Sequence, residues 1–365
     1  MAARDPQERF RDPALVARLV ASLAARAPGR PLRFMHVCGT HENFIGQYGI
    51  RDLLPPWLKI IAGPGCPVCV CPAAEIDLAA RLALERGVVL ATFGDVLRVP
   101  ARLSLAAAKA QGADVRIVYS PADAVALAVK EPRQEVVFFA VGFETTACTV
   151  ASVLALAPPP NFSIVCSHRL IPPALAALLA VDGPGLAGYL LPGHVMAVMG
   201  TREYEVFPTR HAMPLAVAGF EPVDILLALD HLVGQVVDGT PALFNGYPRA
   251  VRPEGNVVAR QRIDEVFEAC DAPWRGIGTI PRSGLRLRPA YRDRDATARF
   301  GLAPDPAIPD IEPGCSCHLI MLGAREPDEC GLFGTRCTPE SPVGPCMVSM
   351  EGTCRAWYRH GRGRT

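Results

Sequence analysis

The sequence predicts an α/β protein in which two small parallel-sheet βα domains face a cleft and a loop-rich, cysteine-rich domain follows. Three observations carry this. Short apolar, β-branched runs alternate with alanine- and leucine-rich helical patterns, and uninterrupted apolar strands between amphipathic helices indicate parallel sheets covered on both faces. Half of the 365 residues are hydrophobic, which supports a large core rather than a disordered chain. Six of the 13 cysteines fall between Cys315 and Cys354, among residues that otherwise favour loops.

Taken in order, strands are expected at residues 32–37, 59–62, 88–92 and 115–119, with helices at 74–86 and 103–111 between them. A second set of strands reads at 136–141, 162–166, 188–191 and 215–218, with helices at 121–130, 145–156 and 222–232. The sets predict a first α/β domain over residues 1–130 and a second over 131–235, joined near Glu131 and Pro132. No internal sequence repeat underlies them. Past residue 235 Arg, Gly and Pro become frequent, with a helix expected at 259–268 and a strand pair around 276–287. From Pro304 the chain reads mostly as loop. A third domain, 236–365, therefore needs a staple, and cysteine ligation supplies one.

Composition excludes several classes. Lys+Arg 37 against Asp+Glu 36 leaves a net charge of +1, so no global field draws the chain to nucleic acid or anionic lipid. Lys59, Lys109 and Lys130 are the only lysines. A Gly-Lys-Ser/Thr phosphate loop is absent, and no lysine beyond residue 130 can form a Schiff base. The long uncharged run at 145–167 is broken by Pro158, Pro159 and Pro160, so a membrane span is not expected. Glu8 and Asp12, then Arg18 and Arg26, are foreign to a secretory leader. The expected compartment is a reducing cytoplasm, where thirteen cysteines call for metal or redox chemistry before structural disulfides.

Chemistry is expected at the carboxyl ends of strands, where open parallel sheets bind ligands. The first strand runs into Cys38-Gly39-Thr40-His41-Glu42, the second into Gly63-Pro64-Gly65-Cys66-Pro67-Val68-Cys69-Val70-Cys71-Pro72. The fifth ends in Gly142-Phe143-Glu144-Thr145-Thr146, the seventh in Pro192-Gly193-His194-Val195. These four clusters are expected to converge on one cleft. Cys66 and Cys69 form a CxxC before a helix, where unpaired amides favour a thiolate that serves as nucleophile, redox centre or soft metal ligand. A structural zinc knuckle of Cys38, His41, Cys66 and Cys69 is the plain alternative. Glu144 and His194 read equally as a helix cap and a strand-end backbone partner. Cys71, Cys148, Cys166 and Cys270 read as small core residues.

Near the C-terminus, Cys315-x14-Cys330-x6-Cys337-x16-Cys354 gives four thiolates from a glycine- and proline-rich region, which suits a [4Fe–4S] cluster. A four-cysteine zinc site is the alternative, but it would leave two thiols idle. In an extended Cys-x-Cys both side chains point to one face. Cys315 is thus taken as a cluster ligand, with Cys317 and Cys346 as an adjacent redox dithiol; exchanging Cys315 and Cys317 serves nearly as well.

Together VCGTHE, GPGCPVCVCP, TFGDVLRVP, VGFETT, PGHV, AGFEP and the C-terminal CxC…ECGLFGTRCTPE…CMVSMEGTCRAWY closely resemble the HypD family, from about residue 32 almost to the end. The resemblance implies an iron–sulfur scaffold that assembles the Fe(CN)2CO centre of [NiFe] hydrogenases. It implies a complex with the small chaperone HypC and cyanide delivered by HypE. Cys38 matches that family's proposed iron ligand and Cys66 with Cys69 its reactive dithiol. His41 lies within reach of Cys38 for a second-shell role, and Glu144 and His194 match the cleft lining. Two departures stand out: His36 replaces an expected acidic residue, and Cys71 an expected non-cysteine. An iron–sulfur disulfide reductase acting on a protein partner and a zinc-stabilised binding scaffold are the competing readings.

Overall fold

Parallel pairing organises the chain, in a computed structural model that describes residues 8–26, 28–180 and 185–361. One sheet holds β1 (Leu32–His36), β2 (Leu58–Ala62), β7 (Gly188–Pro192), β8 (Leu215–Ala218) and β9 (Leu243–Asn245) in the order β2-β1-β7-β8-β9. The other holds β3 (Val89–Thr92), β4 (Val115–Ile117), β5 (Val136–Gly142) and β6 (Phe162–His168) in the order β4-β3-β5-β6. All the pairings in both sheets are parallel. β10 (Phe267–Trp274) and β11 (Gly278–Leu287) form a separate antiparallel hairpin.

The α/β class and the eight strands match the sequence reading closely, but their grouping does not. β3 and β4 were expected beside β1 and β2; they pair instead with β5 and β6, across the division expected at residue 131. The second sheet is therefore an insertion between β2 and β7 of the first. Every one of these strands is a similar apolar run, so the pattern fixes which residues are strands and not which strands pair. The hairpin also starts earlier than expected: the helix Val257–Val266 passes directly into β10, and the first strand lies before Gly276.

Strand alternation sorts the core into layers. Val137, Phe139 and Val141 of β5 face a shared core that also takes Met35 and Val37 from the first sheet and Cys317, Cys330, Cys337, Cys346 and Cys354 from the C-terminal segment. Val136, Phe138 and Ala140 face the opposite side, toward the helices Glu144–Ala155 and Val257–Val266. Leu32 and Phe34 of β1 face a third layer with the helix Pro222–Asp238. The C-terminal segment is turns and short helices (Cys317–Met321, Pro345–Val348, Thr353–Arg359) held against the sheets. No helix among the described residues is long and apolar enough to cross a membrane.

One buried ion pair ties the insertion to the rest. Arg169, just after β6, donates to Glu75 Oε1 at 2.6 Å and to the Pro273 carbonyl at 3.0 Å. Glu75 lies on the helix Ala73–Arg86 that carries the chain from β2 to β3, and its other oxygen accepts from Ser167. Breaking a buried pair strands its partner in a low dielectric. Arg169→Ala should therefore cost about 3–5 kcal/mol, read as a lower midpoint of urea unfolding.

Candidate functional site

β1 and β2 run side by side and end level, His36 opposite Ala62. Both then turn into cysteine loops. Cys38 caps the helix Gly39–Gln47, and the Gly39 amide donates to the Gly65 carbonyl at 3.0 Å. A Cβ on Gly65 would collide with the backbone of Val37 and Cys38, and one on Gly39 with Glu351. The glycines are thus required by close approach rather than by an unusual backbone angle.

That approach creates a small pocket with room for about one water. Cys38, Cys66 and Cys69 line it together with His36, Met321, Glu351, Thr353 and Cys346, the last four coming from the C-terminal segment. Cys66 and Cys69 are joined as a disulfide. The helix that follows Cys66 is only Pro67–Val70, and the long helix starts at Ala73 beyond the motif. The helix dipole expected to act on Cys66 is therefore that of a single turn.

Burial pushes the Cys38 thiol up to about 12, with the nearby Glu351 charge adding to it, against stabilising hydrogen bonds from His41 and Thr40. Glu351 is itself raised by burial; the Thr40 hydroxyl donates to it at 3.1 Å. Asp95, in the TFGDVLRVP motif, accepts from the Ser349 hydroxyl at 3.0 Å and the Met350 amide at 3.1 Å, which fixes the loop that carries Glu351.

His36 and Glu42 answer the departure at position 36. His36 donates from Nε2 to Glu42 at 2.6 Å, and Arg51 donates to the same oxygen at 2.7 Å. Burial opposes the Glu42 charge, but Arg51 and His36 hold the carboxyl below its usual range. The carboxylate that was expected at residue 36 is supplied from residue 42. His41 is fully buried, held neutral near 3 by burial and the neighbouring His36, with Nε2 against the Gly219 carbonyl at 2.8 Å. It packs at a tilt against Phe220, on which His194 stacks, so Phe220 lies between the two histidines.

Glu144 goes elsewhere. It lines a separate crevice with Glu203, Met199 and Phe267, and not the cysteine pocket. The expected convergence of four clusters thus holds only in part. Cys38, Cys66 and Cys69, from the first and second strand ends, share the pocket; His194, at the seventh strand end of the same sheet, does not line it, and Glu144, after the fifth strand, lines a separate crevice.

The C-terminal thiols meet one another. Cys317 hydrogen-bonds Cys315 and Cys346, and Cys346 hydrogen-bonds Cys354. These bonds pull the thiol pKa values both ways, and the net shift is upward for Cys315, Cys317, Cys346 and Cys354, with burial adding to each. Cys337 accepts from the Val343 amide at 3.3 Å, and Cys330 lies 3.9 Å from the Gly314 carbonyl. Among the described residues no group of three or more His, Cys, Asp or Glu stands ready-made to hold a metal ion. In chemistry and number the donors nevertheless fit a thiolate-bound cluster: six sulfurs lie in one segment, and Cys315, Cys317, Cys346 and Cys354 hydrogen-bond one to the next. Sequence reasoning missed Glu351, Thr353 and Met321; the SMEGT run was legible as a motif, but nothing local shows that it reaches Cys38.

The model of the HypD family, described as the hydrogenase formation hypA family, matches residues 14–361. The chain is 45% identical over 369 residues to the hydrogenase maturation factor HypD of Azotobacter vinelandii, covering 98% of this chain and 97% of that one. It is 45% identical to the factor of the same name from Cupriavidus necator, with 97% of each covered. The hydrogenase expression/formation protein HupD of Azotobacter chroococcum is also 45% identical, over 98% of this chain and 97% of its own.

Glu144 generates a test. Burial raises its carboxyl from 4.5 to about 7, so the folded state binds more protons than the unfolded state between those values. Stability should fall as pH rises from 4.5 to 7 and level off above, by about 3 kcal/mol in all. Urea unfolding across that range should show the slope, and Glu144→Gln should remove this contribution to it.

Proposed function

The chain belongs to the HypD family, and we propose that it is a hydrogenase maturation factor on which the Fe(CN)2CO unit of a [NiFe] hydrogenase is assembled. The observation that carries this is the pocket itself: Cys38, the Cys66–Cys69 disulfide and Cys346 line one small space at the carboxyl edge of a parallel sheet.

Iron is the cargo. Cyanide and CO favour electron-rich, low-spin iron, which soft thiolates hold well. Cys38 is its ligand on this chain, and HypC supplies a further thiolate. The Cys38 thiol is strongly protonated when free, so loading iron exchanges a proton for a cation. Glu351 lies beside that thiol and is the nearest group to accept the proton. His36, oriented by Glu42 and Arg51, walls the same space.

Cyanide arrives on HypE as a thiocyanate, and releasing it reduces an S–C bond. Two electrons come from the Cys66/Cys69 dithiol, which closes to the disulfide found here and gives up two protons. The disulfide is reopened by exchange with the Cys317/Cys346 dithiol: the Cys346 sulfur attacks, Cys317 completes a new disulfide, and Cys66 and Cys69 recover two protons. Cys346 suits the role because it lines the pocket and touches Cys317. Cys315, Cys330, Cys337 and Cys354 would hold a [4Fe–4S] cluster, which when bound supplies electrons one at a time. In this reading the protein is an assembly scaffold first, with redox activity confined to these thiols.

Two experiments test it. Infrared spectra of the anaerobic complex with HypC should show C≡N and C≡O bands from iron, and Cys38→Ala should abolish the bands while the complex persists, because such an interface rests mainly on buried apolar surface. Bands that survive would remove Cys38 from the iron. Separately, Cys337→Ala should lose the brown chromophore with its iron and sulfide, whereas Cys66→Ala should keep all three; a colourless Cys66→Ala protein would refute the division between the two cysteine sets.

A further inference from the structure

The second sheet has a crevice at its own carboxyl edge. β5 and β6 end at Gly142 and His168, and the helices that follow, Glu144–Ala155 and Ile171–Leu179, start beside each other, with the Ile171 amide donating to Glu144 Oε1 at 2.8 Å. A cavity of about 540 Å³ opens there, walled by Met199, Phe267 and Arg282. This is the edge at which helix-covered parallel sheets take ligands, and the volume is that of a small-molecule site.

The base of the crevice is chemically incomplete. Glu144 is fully buried, and its Oε2 has no hydrogen-bond partner. The groups that act on its carboxyl are two backbone amides and the like charge of Glu203; among the described residues no basic side chain compensates it. The hydroxyl of Tyr204, buried next to these two acids, is also unpartnered. A desolvated carboxylate in that position is stabilised most by a charged N–H donor. Asp264, on the same wall, adds negative charge. At the mouth, Arg282 sits in a left-handed backbone conformation with φ 54°. Among the described residues its guanidinium has no carboxylate partner, whereas Arg286 is taken by Glu268 and Glu203 by Arg260.

We propose that this crevice binds an elongated zwitterionic small molecule, its guanidinium or primary ammonium seated on Glu144 and its carboxylate on Arg282, with an apolar stem against Met199 and Phe267. The site stands on the crevice alone and does not depend on the iron chemistry proposed for the cysteine pocket.

Calorimetric titration of the full chain with three probes tests it: arginine, which carries both ends; agmatine, which lacks the carboxylate; and pentanoate, which lacks the cation. Arginine should bind saturably, agmatine about tenfold more weakly, and pentanoate not measurably. Glu144→Gln, which preserves shape and the Ile171 bond, should weaken arginine and agmatine by at least about tenfold each. Arg282→Ala, at an exposed position, should weaken arginine and leave agmatine unchanged. Unfolding curves confirm that both variants remain folded. Pentanoate binding as tightly as arginine, undiminished binding by Glu144→Gln, or no saturable binding of arginine to the unaltered protein would each overturn the proposal.

Discussion

Two neighbouring parallel strands that end level, with no room between the loops that leave them, set up the cysteine pocket. The register of β1 on β2, from Leu32 opposite Leu58 to His36 opposite Ala62, brings both chains to the sheet edge together. Beyond that edge Gly65 lies on the backbone of Cys38 so closely that any side chain would force them apart. Cys38 becomes a neighbour of the Cys66–Cys69 pair because two backbones touch. Parallel pairing matters here: an antiparallel partner would have put the second loop at the opposite end of the sheet.

Around that contact burial sets the charge of most groups. His41 and Cys38 are kept uncharged by it. Glu42 is ionised against it because Arg51 and His36 both donate to one of its oxygens. Arg51 is in turn packed over Trp357, so the C-terminal helix Thr353–Arg359 backs the pair that orients His36. Glu351 enters from the same segment, tethered through Asp95. The C-terminal segment is therefore a wall of the pocket as well as the carrier of its own thiols. Disordering it would open the site even with Cys38, Cys66 and Cys69 untouched.

The strands were legible because buried parallel strands are continuous apolar runs, and eight were placed within a few residues of their true ends. β9 was missed: it is three half-buried residues, too short to carry a pattern. The partition into sheets was not legible, since strand pairing is decided by tertiary packing and leaves no local period. The cysteine pocket was read from motifs at strand ends, and that succeeded for Cys38, Cys66 and Cys69 because they follow adjacent strands. Glu144 was expected to reach the same cleft from the facing sheet, but the edge at which β5 ends opens into a crevice of its own. His36 could be flagged as unusual from sequence, but its partner at Glu42 emerges only when a helical turn folds back on β1.

The insertion explains why one chain has two edges at which ligands can gather. Each sheet of helix-covered parallel strands presents its own carboxyl edge. Inserting β3 to β6 between β2 and β7 separates the two acids: Glu351 remains with the thiols, while among the described residues Glu144 is left with a cavity, an unpaired oxygen and no counter-charge. A buried carboxyl kept in that state costs stability, and the Glu75–Arg169 pair, which holds the insertion against the first sheet's crossover helix and the hairpin that walls the crevice, helps to offset the cost.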